Sequence, residues 1–145
     1  MQLTPAQLSD HIATHGLPVV LSVFGDAPLL VDDSLQQIRA SARQLGVDER
    51  LRYVQDSQFE WRQLTDQSVS LSLFSSHKLI ELELPEAKPG REGGDALRRY
   101  LQAPPTDQTL VVLGPRLKQE QLKSKWYQEL AAAGPVVLAN NPERQ

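Results

Sequence analysis

"PVVLSVFGDAPLLVDDSLQQIRASARQLG", residues 18–46, decides the fold. Residues 18–25 are an apolar run ending in glycine, which reads as a buried strand. From Ala27 the apolar spacing changes. Leu30, Ser34, Ile38, Ala42 and Leu45 fall on one face of a helix that Gly46 closes. A strand that passes through a glycine turn into an amphipathic helix is the opening of a βαβ unit, and the same alternation continues in both directions.

Upstream, "TPAQLSDHIATHG" (4–16) reads as a helix, with Thr4 as N-cap, Pro5 at the first helical position and Gly16 as the stop. Downstream, "RLRYVQ" (50–55) is a short strand and "EWRQLTDQS" (60–68) a helix. "HKLIELELP" (77–85) alternates Leu79, Glu81, Glu83 against Ile80, Leu82, Leu84, which predicts a strand with one wet face. "PEAKPGREGG" (85–94) reads as a turn-rich loop and "DALRRYLQA" (95–103) as a helix halted by Pro104-Pro105. "QTLVVLG" (108–114) is an apolar strand, "KQEQLKSKWYQELAAAG" (118–134) one helix, and "PVVLAN" (135–140) the last strand. The expectation is an α/β domain of three layers, with a five-stranded, mainly parallel sheet covered on both faces. Residues 1–140 form the domain, and 141–145 read as the start of a linker.

The chain's 145 residues suit one core. Its net charge of −3, with both signs interspersed, argues against strong non-specific binding to nucleic acid or anionic membrane. Between Pro85 and Lys125 there are eight Lys/Arg and five Asp/Glu, ordinary helix-surface charge. The absence of cysteine excludes disulfides, thiolate metal sites and cysteine nucleophiles. No signal peptide and no apolar run near the ~18 residues of a membrane span are visible, so the expected compartment is the cytoplasm.

Ligands of open α/β sheets bind beyond the carboxyl ends of the strands, where "FGDAPLL" (24–30) lies. A P-loop there needs G-x-x-x-x-G-K-[ST]. Gly25 is present, but the second glycine, the lysine and the hydroxyl residue are missing, and Asp26 puts negative charge where phosphates would go. Asp26 and Pro28 read instead as a capped helix start. Glu86 follows a proline, poor geometry for holding Mg²⁺. A phospho-accepting receiver domain would want an acidic cluster at Asp26 and a lysine ending the fifth strand, and neither is found. His11 and His15 share a helix face but lack the H-E-x-x-H glutamate, since Ile12 fills that position. His77 has no nucleophile at motif spacing. Asp32-Asp33 and Glu81/Glu83 read as solvated faces or caps. Trp61 and Trp126 read as packing residues beside Leu64, Leu122 and Leu130. The residues call for no catalysis, cofactor or metal.

One stretch resists this reading. "SVSLSLFSSHKLIELELP" (68–85) carries Leu71, Leu73 and Phe74 among serines. Leu73 and Phe74 are neighbours, and an extended chain cannot turn both to one core. They are either core residues of a helix–strand corner or anchors for a partner.

"VFGDAPLLVDDSLQQIR" (23–39), "FEWRQLTDQSVSLSLFSSHKLIELELPEAKPGREG" (59–93), "YLQAPPTDQTLVV" (100–112) and "LKSKWYQELAAAGPVVLANNPERQ" (122–145) resemble the N-terminal domain of the delta subunit of bacterial DNA polymerase III, part of the sliding-clamp loader. The most specific piece is S-x-S-L-F-S, then a basic residue and L-I-E-L. The family more often has arginine where this chain has His77. The resemblance implies a RecA-like, AAA+-type domain with a degenerate P-loop that has lost ATP binding. It implies clamp contact through Leu73 and Phe74, with Leu71 flanking, and a wrench-like role in opening the ring. It also implies joining to the gamma/tau and delta-prime subunits through helical domains beyond this chain, and only indirect or weak contact with DNA. The alternative is a nucleotide-binding P-loop-type ATPase domain with an atypical phosphate loop.

Overall fold

The computed structural model describes residues 1–47, 49–64 and 77–140. In chain order the elements are β1 (Gln2–Leu3), α1 (Pro5–His15), β2 (Val20–Phe24), α2 (Pro28–Gln44), β3 (Glu49–Val54), β4 (Lys78–Glu83), α3 (Gly90–Gln102), β5 (Gln108–Gly114), α4 (Gln119–Leu122), α5 (Lys125–Ala133) and β6 (Val136–Leu138). The sheet order is β1-β6-β2-β5-β4-β3, and every pairing is parallel.

Period-2 alternation divides the core between the two faces. Val20, Phe24, Ile80, Leu82, Leu110 and Val112 pack under α3 and α5 with Leu97, Tyr100, Trp126 and Leu130. Leu21, Val23, Leu79, Val111 and Leu113 pack under α1 and α2 with Leu8, Leu35 and Ile38. This is an α/β domain of three layers, with a parallel sheet between two layers of helices. Trp61 and Trp126 are both buried core residues, as their settings predict.

Several local expectations hold. Thr4 caps α1 in a reciprocal capping box with Gln7, Pro5 opens the helix and Gly16 ends it. Gly46, at φ +86°, ends α2. There Val47 N–H bonds Ala42 O at 2.9 Å and Gly46 N–H bonds Arg43 O at 3.1 Å, the two bonds of a Schellman motif. That turn buries Val47 in place of Leu45, which is 66% exposed rather than on the core face.

Others are corrected. The sheet has six strands rather than five: Val136 N–H bonds Met1 O at 2.8 Å, and two residues, Gln2–Leu3, add to β6, too few to show a period. α2 is preceded by Ala27, an N-cap without a side-chain bond; Pro28 opens the helix as expected, but the Asp26 carboxylate faces Arg116 at 3.6 Å. β4 has no wet face: Glu81 is buried by arginines instead of solvated, and only Glu83 is half-buried. The loop 85–94 gives way at Gly90, where α3 starts. Its glycines disguise a helix that needs one of them, because a Cβ on Gly93 would strike the Trp61 indole. The single helix 118–134 is two. Gln121 Nε2 bonds Glu86 O and Ala87 O at 3.0 and 3.1 Å, Ser124 Oγ donates to Gln121 O at 2.6 Å, and the chain bends before α5. The helix expected over 60–68 shows a turn at 61–62 and helical residues 63–64; its remainder, like the proposed linker at 141–145, lies outside the described residues.

Candidate functional site

Leu71, Leu73 and Phe74 lie outside the described residues. The structure does place the two flanks of their segment, each bonded to one of two successive residues of β5. Leu64 is buried, and its carbonyl accepts a 3.2 Å hydrogen bond from Gln108 Nε2. At the other flank, His77 Nε2 is 2.9 Å from Thr109 Oγ1 and Lys78 N–H donates to Asp107 O at 3.1 Å. The Thr109 hydroxyl donates to Pro18 O at 3.2 Å, so the His77 Nε2–H is the donor in that pair. Both flanks therefore meet the first residues of β5, at the amino edge of the parallel sheet.

Gln108 is fully buried and also donates to the Tyr100 hydroxyl at 2.6 Å. Burial pushes the Tyr100 phenol up to about 12, the Gln108 bond opposing it and the Asp107 charge adding to it. Beside Leu64 opens a groove of about 620 Å³, walled by Phe59 and Trp61 on one side and by Ala96, Arg99 and Tyr100 on the other. Phe59 packs edge-on to Trp61 at 5.1 Å between ring centroids. Sequence reasoning missed Gln108 and Thr109. Their signal is a polar pair opening an otherwise apolar strand, "QTLVVLG".

The opposite edge of the sheet holds the crevice where a nucleotide would bind in a doubly wound fold. It encloses about 390 Å³ and is bordered by Gly25, Asp26, Asp32, Arg52, Glu83 and Gly114. Two of its turn amides are committed within the protein: Gly25 N–H bonds Gly114 O at 3.1 Å and Ala27 N–H bonds Ala139 O at 3.2 Å. A Cβ on Gly25 would run into the Ala139 carbonyl, so close approach of β6 accounts for this glycine. Gly25→Ala is expected to cost about 1–2 kcal/mol by overpacking, read as a lower urea midpoint with an unchanged m-value.

Between α2, β3 and β4 lies a charge cluster. The Glu81 side chain is 1% exposed and binds Arg39 in two bonds of 2.7 and 2.8 Å, Arg52 at 2.9 Å and Arg50 at 3.4 Å. Burial works against its charge, but the bonds from Arg39 and Arg52 and the charges of Arg39 and Arg50 outweigh it. The Glu81 carboxyl is held below its ordinary range, and Arg39 above its own, chiefly by the Glu81 bond. This arrangement joins α2 to the sheet edge, with each Glu81 oxygen engaged by an arginine. The His11 and His15 rings lie 4.7 Å apart between centroids, tilted by 41°, and no group of three metal-ligating side chains occurs among the described residues.

The model of the family "DNA polymerase III, delta subunit" matches residues 21–140. The chain belongs to that family. It is 27% identical over 144 residues to the DNA polymerase III subunit delta of Escherichia coli, across 99% of this chain and 42% of that protein. To the Haemophilus influenzae subunit delta it is 36% identical over 85 residues, 59% of this chain and 24% of that one. Among solved structures, the Bacillus subtilis DNA clamp loader delta protein superimposes with a TM-score of 0.73 at 16% identity, over 94% of this chain and 42% of that one. A structure of Rif2 in complex with the C-terminal domain of Rap1 gives 0.58 at 7% identity, over 94% of this chain and 52% of its own, a likeness of fold alone. This delta-family chain thus spans about two fifths of the length of the E. coli relative.

Proposed function

We propose that this chain is the clamp-binding domain of a clamp-loader delta subunit, a non-enzymatic domain that grips the sliding clamp through Leu71, Leu73 and Phe74 and helps open the ring. The observation that carries this reading is the anchoring of both flanks of their segment, Leu64 and His77, on adjacent residues of β5. A contact element held at both ends on a rigid sheet loses less conformational entropy on binding than a free tail. Family membership supports the same partner.

The residues at the carboxyl edge support the companion proposal, a degenerate nucleotide site. Phosphates bind to free backbone amides and a lysine. Here the Gly25 and Ala27 amides are engaged by carbonyls, and the Asp26 carboxylate between them faces Arg116 at 3.6 Å. Residues 1–140 act as the domain, and contacts with other loader subunits belong to chain beyond it. Its expected place is the cytoplasm; no described helix is long and apolar enough to cross a membrane.

Two titrations of this chain separate the reading from its rival. Purified sliding clamp from the same source is expected to bind saturably, and ATP with Mg²⁺ at millimolar concentration is expected not to bind. ATP binding without clamp binding would favour the nucleotide-binding alternative.

A further inference from the structure

β3 stands at one edge of the sheet, with β4 on its inner side. In a parallel pair, alternate residues of a strand turn their N–H and C=O to the partner, and the residues between turn theirs away. Gln55 N–H bonds Glu83 O at 2.9 Å, while the N–H of Leu84, just after β4, bonds Leu113 O at 2.8 Å on the β5 side. With the register Leu51↔Ile80 and Tyr53↔Leu82, this parity gives the backbone groups of Leu51 and Tyr53 to β4. Those of Arg50, Arg52 and Val54 point out of the sheet, where no strand among the described residues pairs with them. Edges of this kind are commonly closed by lysine, by proline or by charges aimed along the edge. "ERLRYV" has neither lysine nor proline. Its arginines reach back over β4 instead: Arg52 to Glu81 at 2.9 Å and to Glu83 at 2.6 Å, Arg50 to Glu81 at 3.4 Å.

The two faces of this open edge differ. On the α2 face the carboxylate lies inside and the guanidiniums outside: Glu81 is 1% exposed, Arg50 49% and Arg52 35%. Arg39 takes both Glu81 oxygens, so Arg50 is left with the longest contact. On the α3 face, Leu51 and Tyr53 are partly buried against the core. β4 already meets β3 from within and shows what such a surface accepts. It turns Glu81 and Glu83 toward the arginines, and Ile80 and Leu82 toward the other face. We infer that the open edge of β3 takes an extended acidic segment of a partner protein as an added strand, its carboxylates beside Arg50 and Arg52 and its aliphatic side chains beside Leu51 and Tyr53. A second copy of this chain does not fit, because two β3 edges would set their arginines side by side. A nucleic acid could meet the arginines but has nothing to offer the alternating row of N–H and C=O groups. The inference does not depend on the clamp-binding reading.

The test is binding of a fluorescently labelled peptide, EVEVEVEV flanked by glycines, and of its lysine counterpart KVKVKVKV. Each is titrated with this chain as wild type, Arg50→Glu and Val54→Pro, and an unfolding curve is taken of each protein. Val54→Pro removes an outward N–H and no bond of the β3–β4 ladder, so it is expected to stay folded, as is the exposed Arg50→Glu. The glutamate peptide is expected to bind wild type saturably, about tenfold or more tighter than the lysine peptide, and to lose about tenfold or more in either variant. Amide exchange at Arg50, Arg52 and Val54 should slow when it binds. Equal affinity for the two peptides, wild-type affinity in the folded variants, or no binding at millimolar peptide would overturn the inference. So would binding of an oligothymidylate, lost in Arg50→Glu, by a chain that does not bind the peptide, which would give the arginines to nucleic acid. Should Val54→Pro unfold, Arg50→Glu decides: wild-type peptide affinity in that folded variant overturns the inference, and loss of binding supports it.

Discussion

Leu73→Ala/Phe74→Ala is expected to abolish measurable binding of this chain to the sliding clamp while leaving its thermal unfolding unchanged. Burying a leucine or phenylalanine fully at an interface is worth ~1.5–3 kcal/mol. Two of them together correspond to about a hundredfold or more in affinity. Interfaces concentrate their energy in a few such aromatic and aliphatic anchors, so a contact resting on this pair has little to replace it. Leu71→Ala, at the flank, should cost less than either anchor. The stability half of the prediction follows from the core. Among the described residues each face of the sheet carries its own apolar cluster, from Phe24, Ile80 and Leu97 on one side to Leu21, Val23 and Ile38 on the other, and the expectation is that these clusters hold the fold without the pair. Circular dichroism and an unfolding curve accompany each binding measurement. A double variant that unfolds would assign the pair to a helix–strand corner, and one that is folded and binds as wild type would place the contact elsewhere.

Glu81→Gln is expected to give the largest loss of stability, about 2–3 kcal/mol by urea unfolding at neutral pH. The carboxylate is 1% exposed, and the substitution leaves Arg39, Arg50 and Arg52 facing one another. A fully buried pair broken in this way costs more, but these arginines are 18%, 49% and 35% exposed and water screens part of their repulsion. The pH dependence has a definite sign. Glu81 titrates lower in the folded than in the unfolded chain, so the unfolded chain binds the proton first as the pH falls. Its contribution is whole above the ordinary carboxylate value of 4.5 and is lost as the pH falls through the depressed folded value. In Glu81→Gln this part of the acid limb should flatten. An unchanged acid limb, or a loss well under 1 kcal/mol, would mean that the cluster is only surface charge.

The fold was legible where a local rule and the tertiary structure agree. Thr4-Pro5, Gly16 and Gly46 mark helix ends by backbone chemistry that acts within a few residues. β2 and β5 are apolar because both of their faces are covered. The misses share a different cause. Glu81 looks solvated in an alternating strand because its partners, Arg39, Arg50 and Arg52, are distant in sequence. The glycines of 90–94 look like a loop because the indole of Trp61, the reason Gly93 has no side chain, arrives from another element. Gln2–Leu3 become a strand only because β6 offers them an edge. At the candidate site, Phe74 stood out because it directly follows Leu73 and breaks the alternation that Leu71 and Leu73 keep, and the resemblance supplied a partner for all three. Gln108 and Thr109 did not stand out, because two polar residues at the start of a strand look like the end of the preceding turn until Leu64 and His77 are seen against them.

The most direct test of the clamp-binding proposal is amide hydrogen exchange of this chain with and without saturating clamp. Protection on complex formation is expected in peptides covering residues 65–76 and their flanks at 59–64 and 77–78, with the crevice residues 25–32 and 113–116 unchanged. Protection confined to the crevice at the carboxyl edge, with 65–76 unaffected, would contradict it.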